Sequence, residues 1–135
     1  MEQSTEIRYL SLEWIDALTE AVAADAELAA LAAQHELGLT QVIEDSPEGT
    51  VTYHLQLDAD GARFAAGAAE PEHLRLIEPW ETAVAVATGE LNAEQAFLSG
   101  TIRLVGDPSL ILGLHPVLSA LNQIFESVST RTVYR

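Results

Sequence analysis

The spacing of the apolar residues changes once, near Gly38, and this change divides the chain into a helical part and a sheet-forming part. Before it, apolar residues recur at helical spacing from Leu12 to Leu31, which predicts one long helix that begins after the N-cap Ser11 and ends near Gln34. After it, apolar and polar residues alternate with a period of two, which is typical of strands. The pattern predicts an α/β (α+β) fold in which the helix covers one face of a sheet.

Short turns separate the strands that this alternation predicts, at residues 39–43, 51–57, 63–69 and 73–77. In the second of them, the apolar side chains Val51, Tyr53, Leu55 and Leu57 lie on one face. Because turns of this length join neighbouring antiparallel strands, the sequence predicts an antiparallel meander.

The C-terminal half returns to helical patterns around one further strand. A helix is predicted over residues 80–88, then a helix of one or two turns capped by Asn92, then a fifth strand over residues 101–105. Asp107 is the predicted N-cap of a broad apolar segment that follows. Since Pro116 cannot donate a helical hydrogen bond, this segment is expected to form two helices rather than one.

The predicted strand around residues 62–69 has small side chains on both faces, and two interpretations stay open. It either packs closely against the alanine-rich first helix or leaves an apolar cavity beside it. The broad apolar C-terminal segment, which exceeds what one covering layer needs, favours the cavity.

Charge and composition exclude several classes of function. The chain has 6 Lys+Arg against 21 Asp+Glu, a net charge of −15, and its arginines are scattered, so a nucleic-acid partner is not expected. The lack of cysteine excludes thiolate nucleophiles and disulfides, and no apolar run reaches the length of a membrane span. With no visible signal peptide and no linker, a single cytoplasmic domain over residues 1–135, without stable membrane insertion, is expected.

The search for catalytic chemistry leaves one pair of carboxyl groups. The four histidines lack metal-ligand spacing, and a hairpin turn explains the acidic residues at 58–61, so no metal or cofactor is expected. Glu78 and Glu81 flank Trp80, and a glutamate beside an indole can have a raised pKa and act as a general acid or base. Such pairs are usually solvated surface carboxylates, and the chain is not expected to be an enzyme.

Two stretches of the C-terminal half resemble the SCP-2 (sterol carrier protein 2) family. These are residues 80–91, WETAVAVATGEL, and residues 96–107, AFLSGTIRLVGD, which fit that family's helix end and its A-F-[ML]-x-G-x-[LI]-x-[LIV]-x-G-D pattern. Physically, Gly100 suits a turn, Asp107 a helix cap and Phe97 a core anchor, so these positions serve mainly the scaffold.

The resemblance implies a five-stranded, mainly antiparallel sheet covered by a long N-terminal helix, short middle helices and the apolar C-terminal segment. It further implies that these elements enclose a hydrophobic tunnel for sterols, fatty acids, acyl-CoA esters or other lipids, with no catalytic residues. The residues expected by position to line such a tunnel are Phe64, Ala66, Trp80, Val84, Phe97, Leu98, Ile102, Leu104, Leu110, Leu114, Leu118, Leu121 and Phe125.

Two functions follow from this resemblance. The first is non-catalytic binding or carriage of a hydrophobic small molecule or lipid, and the net charge of −15 favours presentation to a partner enzyme over transfer between anionic membranes. The alternative is an accessory or dimerisation module of the same fold, without a lipid, whose apolar C-terminal segment is buried against a partner enzyme or a second copy.

Overall fold

A computed structural model describes residues 7–88, 90, 91, 93–107, 109–113, 115–129, 132 and 133. Its helices are α1 (Leu12–Ala24), α2 (Ala26–Ala32), α3 (Trp80–Ala87), α4 (Ala93–Leu98), α5 (Ser109–Gly113) and α6 (His115–Ser129). Its strands are β1 (Ile7–Arg8), β2 (Leu37–Ser46), β3 (Gly49–Asp58), β4 (Gly61–Ala66), β5 (Leu74–Pro79), β6 (Arg103–Gly106) and β7 (Thr132–Val133).

Five of these strands form one mixed sheet in the order β4-β3-β2-β5-β6. The pairs β2–β3, β3–β4 and β5–β6 are antiparallel, whereas β2 and β5 are parallel. The predicted five-stranded, mainly antiparallel sheet is therefore confirmed. The short strands β1 and β7 form a separate parallel pair in which Ile7 lies opposite Thr132.

The prediction of a four-strand meander was wrong for its last strand. Strands β2 to β4 form a meander, but β5 lies on the far side of β2 and runs parallel to it. The connection from β4 to β5 carries the chain back across the sheet: Ala69 N donates to Thr40 Oγ1 at 2.9 Å, and Glu70 N donates to Gln56 Oε1 at 3.3 Å. The connection thus covers the face of β2 and β3 that is turned away from the helices.

The small residues of this connection allow it to lie against the sheet. A Cβ atom added to Gly38 would come within 1.7 Å of the carbonyl oxygen of Pro71. Strand β4 already ends at Ala66, and the buried Ala69 belongs to the connection rather than to a strand. The small side chain of Ala69 and the absence of one at Gly38 therefore accommodate the crossing backbone, and the cavity interpretation loses this part of its support.

The predicted long N-terminal helix is two helices that meet at Asp25. This residue has an extended backbone (φ −80°, ψ 118°), and its side chain accepts a hydrogen bond from Leu28 N at 2.9 Å as the N-cap of α2. Aspartate competes with the helix for backbone donors, so it caps a new helix more readily than it continues an old one. Alanine residues on both sides of Asp25 favour a helix, so the apolar pattern gave no sign of this boundary.

The remaining elements agree closely with the sequence prediction. Helix α3 begins at Trp80, and the last apolar segment is two helices, α5 and α6, as Pro116 suggested. Asp107 Oδ1 accepts hydrogen bonds from the backbone N and the Oγ of Ser109, at 2.9 and 2.8 Å, at the start of α5. The predicted cap Asn92 lies outside the described residues. None of the described helices is both long and apolar enough to cross a membrane.

The core lies between the helices and one face of the sheet. Side chains from alternate positions of β2 to β5 pack there against α1, α2, α3 and α6. Its fully buried large members are Leu18, Val22, Leu28, Leu37, Leu39, Ile43, Leu55, Leu57, Phe64, Leu74, Val117 and Val128. The predicted shared face of Val51, Tyr53, Leu55 and Leu57 is confirmed, since all four belong to this core or pack against it.

We expect Gly38→Ala to lower the free energy of unfolding by about 3 kcal/mol, because the new methyl group overlaps the crossing backbone at Pro71. Urea unfolding followed by circular dichroism measures the loss. Gly113→Ala is the control, since nothing lies within 4 Å of its added Cβ, and it should change stability by about 1 kcal/mol or less. Equal stability of the two variants would mean that the connection does not cross β2.

Candidate functional site

The centre of the core is a cluster of aromatic rings around Trp14 of α1. The ring centroid of Trp14 lies 5.0 Å from that of Tyr9, 5.3 Å from Tyr53, 6.1 Å from Phe64 and 5.9 Å from Phe125. Most of these rings meet edge to face, which is a favourable arrangement of their quadrupoles. The rings join the sheet to both α1 and α6, so the space where the tunnel was expected contains packed side chains.

The structure divides the predicted lining residues by burial. The buried ones are Phe64, Ile102 and Leu121. The half-buried ones, which pack against the core, are Trp80, Val84, Leu104 and Phe125.

Three predicted lining residues lie at the surface instead. Ala66 is exposed at the end of β4, Leu98 is 82% exposed at the end of α4, and Leu110 is 38% exposed in α5. Leu114 and the side chains of Phe97 and Leu118 lie outside the described residues. The role of all these residues as tunnel lining stays a prediction.

Two open depressions of the described surface have polar linings that include none of the rings of the aromatic cluster. One of about 280 Å³ is lined by Ile7, Ala17 and the carboxylates Glu13, Asp16 and Glu20. Another of about 480 Å³ lies between residues 32–36 and 58–60 and includes three more carboxylates. An apolar ligand would gain little in either place.

A group of polar side chains interrupts the apolar core face of the sheet. The alternation along β5 puts Glu78 on the same face as Leu74 and Leu76, and only 7% of Glu78 is exposed. No hydrogen bond or ion pair joins this carboxyl group to the other described residues. Burial raises the pKa of Glu78 to about 7, so the group is partly protonated at neutral pH.

Gln41 lies on the same face of the neighbouring strand, between the buried Leu39 and Ile43. In the register of the sheet, Gln41 lies opposite Tyr53 of β3 and opposite Leu76 of β5, and Ile43 lies opposite Glu78. The side-chain oxygen of Gln41 is buried and accepts no hydrogen bond from the described part of the chain. An unpaired buried acceptor costs about 1–3 kcal/mol, so this position is unfavourable unless something pairs with it.

Tyr53 completes the group. Burial raises the pKa of its phenol well above the usual value, and the nearby Tyr9 and Glu78 raise it further. Gln41, Tyr53 and Glu78 therefore form one area of hydrogen-bonding side chains on three adjacent strands, which we call the polar patch. Tyr9 and Trp80, whose ring centroids are 5.3 Å apart, lie near it.

The sequence anticipated part of this site. The sequence allowed a raised pKa for a glutamate beside Trp80, and Glu78 has one, although its cause is burial in the core. Glu81, by contrast, is exposed on α3, so the two carboxyls do not form a buried pair. Gln41 was missed, although a signal was present: it is a polar residue at an inward position of an otherwise apolar strand.

The described residues hold no group of three or more histidine and carboxylate side chains that could bind a metal ion. The side chains of the polar patch supply hydrogen bonding and, at Glu78, proton exchange. Such an area at the bottom of an apolar layer suits the orientation of an apolar molecule by its head group.

Comparison with known proteins places the fold. The family model of the SCP-2 sterol transfer family matches residues 15–119. The chain belongs to the SCP-2 sterol transfer family. No curated protein sequence matches it.

Solved structures share the SCP-2 fold at low sequence identity. A conserved protein from Thermus thermophilus, considered a candidate sterol carrier protein, is 22% identical, with a TM-score of 0.63 over 94% of this chain and 92% of its own. A crystal structure of sterol carrier protein 2 is 21% identical, with a TM-score of 0.63 over 87% of this chain and 97% of its own. A stereoselective inverting sec-alkylsulfatase from a Pseudomonas species is 21% identical, with a TM-score of 0.51 over 84% of this chain but only 15% of that enzyme. The SCP-2 fold therefore occurs both as a separate protein and as a part of a larger one.

Glu78 should make the stability of the protein depend on pH in an identifiable way. The carboxyl ionises near pH 4.5 in the unfolded chain and near 7 in the folded one. Between these values the unfolded chain releases a proton that the folded chain keeps, so the free energy of unfolding falls as the pH rises, by up to about 3 kcal/mol. Glu78→Gln cannot ionise, so it should remove this fall and be more stable than the wild type at pH 8.5.

Urea unfolding at pH 4, 5.5, 7 and 8.5 measures this difference between variant and wild type. Glu81→Gln, which alters an exposed carboxyl three residues away, serves as the control and should follow the wild-type profile. Parallel profiles for Glu78→Gln and the wild type would show that Glu78 is not buried in the folded protein.

Proposed function

We propose that the chain binds a hydrophobic small molecule or lipid, without catalysis, between its sheet and the helices α3 and α6. Membership of the SCP-2 sterol transfer family over residues 15–119 is the observation that carries this proposal. The geometry supports it, because the core face of the sheet is apolar except for one small polar patch.

The margin of the core suggests where the ligand enters. Trp80 and Val84 of α3, Leu104 of β6 and Phe125 of α6 pack against the core but are only half-buried. A ligand that enters here separates α3 from α6. Aromatic side chains that pack against each other in the free protein then pack against the ligand. Burying about twelve methylene groups at about 0.8 kcal/mol each gives about 10 kcal/mol, enough for micromolar binding after the ordering costs.

The arrangement of the carboxyl groups favours binding over catalysis. Among the described residues, Glu78 is the buried carboxyl group. A general acid–base pair would need a second carboxyl beside it, and the candidate Glu81 faces solvent. A single carboxyl with a pKa of about 7 beside a neutral phenol holds a head group by hydrogen bonds.

Organic extraction of the freshly purified protein, followed by mass spectrometry, tests the proposal directly. We expect one class of lipid or apolar metabolite at close to one molecule per chain, and none from an unrelated acidic protein purified in parallel. An empty extract, together with no uptake of fluorescent fatty-acid or sterol probes, would overturn the proposed function.

Val84→Arg should weaken the binding of a fluorescent lipid probe at least about tenfold. The substitution puts a charge at the half-buried margin of the core, where it opposes an apolar ligand but still reaches solvent, so the fold should survive. Probe titration measures the affinity, and far-ultraviolet circular dichroism checks the fold. Val86→Arg makes the same change in the same helix at a half-buried residue outside the core packing, and should bind like the wild type. Equal affinities of the two variants would exclude this entry site.

One observation favours a second function, that of an interaction module. Leu98, Val105 and Leu110 are exposed apolar residues in consecutive elements, and the related fold in the alkylsulfatase is a part of a larger enzyme. Light scattering separates the two functions, since a ligand-free obligate oligomer would favour the module and a lipid-loaded monomer the carrier.

A further inference from the structure

The polar patch contains hydrogen-bonding capacity that the protein itself leaves unused. The side-chain oxygen of Gln41 is buried without a donor among the described residues, and the buried carboxyl of Glu78 forms no hydrogen bond with any of them. Both side chains come from adjacent strands in register, two positions apart on the same face. In a packed core such groups are normally paired, so their pairing with a ligand would recover free energy that folding loses.

The kind of head group follows from what the patch offers. Gln41 presents an amide, which turns either its oxygen or its NH₂ group to the same point by rotation of its last torsion angle. A hydroxyl group both donates and accepts, so it pairs with either end of the amide and with a protonated carboxyl or a phenol. A head group without a donor satisfies fewer of these groups.

The charges of the protein argue against an anionic head group. Each of the four described arginines forms an ion pair elsewhere: Arg8 with Glu48, Arg63 with Asp58, Arg75 with Glu72 and Arg103 with Glu44. The described part of the chain therefore brings no cation to the polar patch. A carboxylate placed there would be buried beside Glu78 without a counter-ion, in a protein whose net charge is already −15.

We propose that Gln41, Tyr53 and Glu78 select a ligand whose head group is an uncharged hydroxyl, so that the chain prefers an apolar alcohol to the carboxylate of the same length. This proposal rests on the proposed binding of a hydrophobic ligand and specifies its head group. Gln41 is a specificity-determining residue in it, and Glu78 opposes anions.

Three probes with the same twelve-carbon chain test it at pH 8: 1-dodecanol, dodecanoate and dodecyl methyl ether, which has an oxygen but no donor. Quenching of tryptophan fluorescence gives their dissociation constants. We expect the alcohol to bind about three- to tenfold more tightly than the ether and at least about tenfold more tightly than the carboxylate.

Variants assign the preference to particular residues. Gln41→Leu should reduce the preference for the alcohol over the ether, since only Tyr53 and Glu78 are then left to pair with the hydroxyl. Glu78→Gln should reduce the preference for alcohol over carboxylate by admitting the anion. Thr52→Val, an isosteric change on the opposite face of β3, is the control and should keep the wild-type order of affinities.

The outcomes separate this proposal from the function on which it rests. Tight binding of dodecanoate, equal to or better than that of the alcohol, would overturn the head-group selection and leave the binding function intact. Binding of none of the three probes would overturn both. The comparison of probes on the wild-type protein decides the matter even if Gln41→Leu does not fold.

Discussion

The contact between Gly38 and His73 determines how the two halves of this protein fit together. His73 N donates to the carbonyl oxygen of Gly38 at 2.7 Å, and Gly38 N donates to His73 Nδ1 at 2.8 Å. These bonds begin the parallel pairing of β2 with β5 just before Leu74 meets Leu39. The pairing then aligns Ile43 with Glu78 and brings Glu78 to the same face as Gln41. Without the backbone crossing at Gly38, β5 would have no route to this side of β2, and the polar patch would not exist.

The core of the molecule combines a strongly stabilising feature with an unfavourable one. The rings around Trp14 bury a large apolar area and join α1, the sheet and α6. Beside them, the polar patch holds an unpaired amide oxygen and a carboxyl whose pKa is raised to about 7. Apolar residues at positions 41 and 78 would make a more stable core of the same shape. The cost of burying these groups on the core face of the sheet would be offset by a ligand that forms hydrogen bonds with them.

Particular residues show how far the sequence predicts this structure. The alternation in β3 and the positions of Trp80, Asp107 and Pro116 predict their elements correctly, because each depends on neighbours along the chain. The apolar pattern continues on both sides of Asp25 and therefore predicts one helix. The hydrogen bond that the Asp25 side chain accepts from Leu28 N ends the first helix there and begins a second one. The buried state of Glu78 follows partly from sequence, since the pattern of β5 turns it inward. That Gln41 lies beside it does not, because strand order determines their proximity.

The sequence by itself determined most of the helices and strands of the main sheet and the family resemblance, since these depend on local periodicity and on short motifs. It also determined that the protein is strongly acidic and that its few cations are dispersed. Only the tertiary structure decided that β5 pairs in parallel with β2, that Ala69 belongs to a connection that crosses β2, and that Gln41, Tyr53 and Glu78 lie on one face of three adjacent strands. The reason is physical: a period of two fixes which way a side chain points, whereas the neighbour it meets depends on strand pairing between residues more than thirty positions apart.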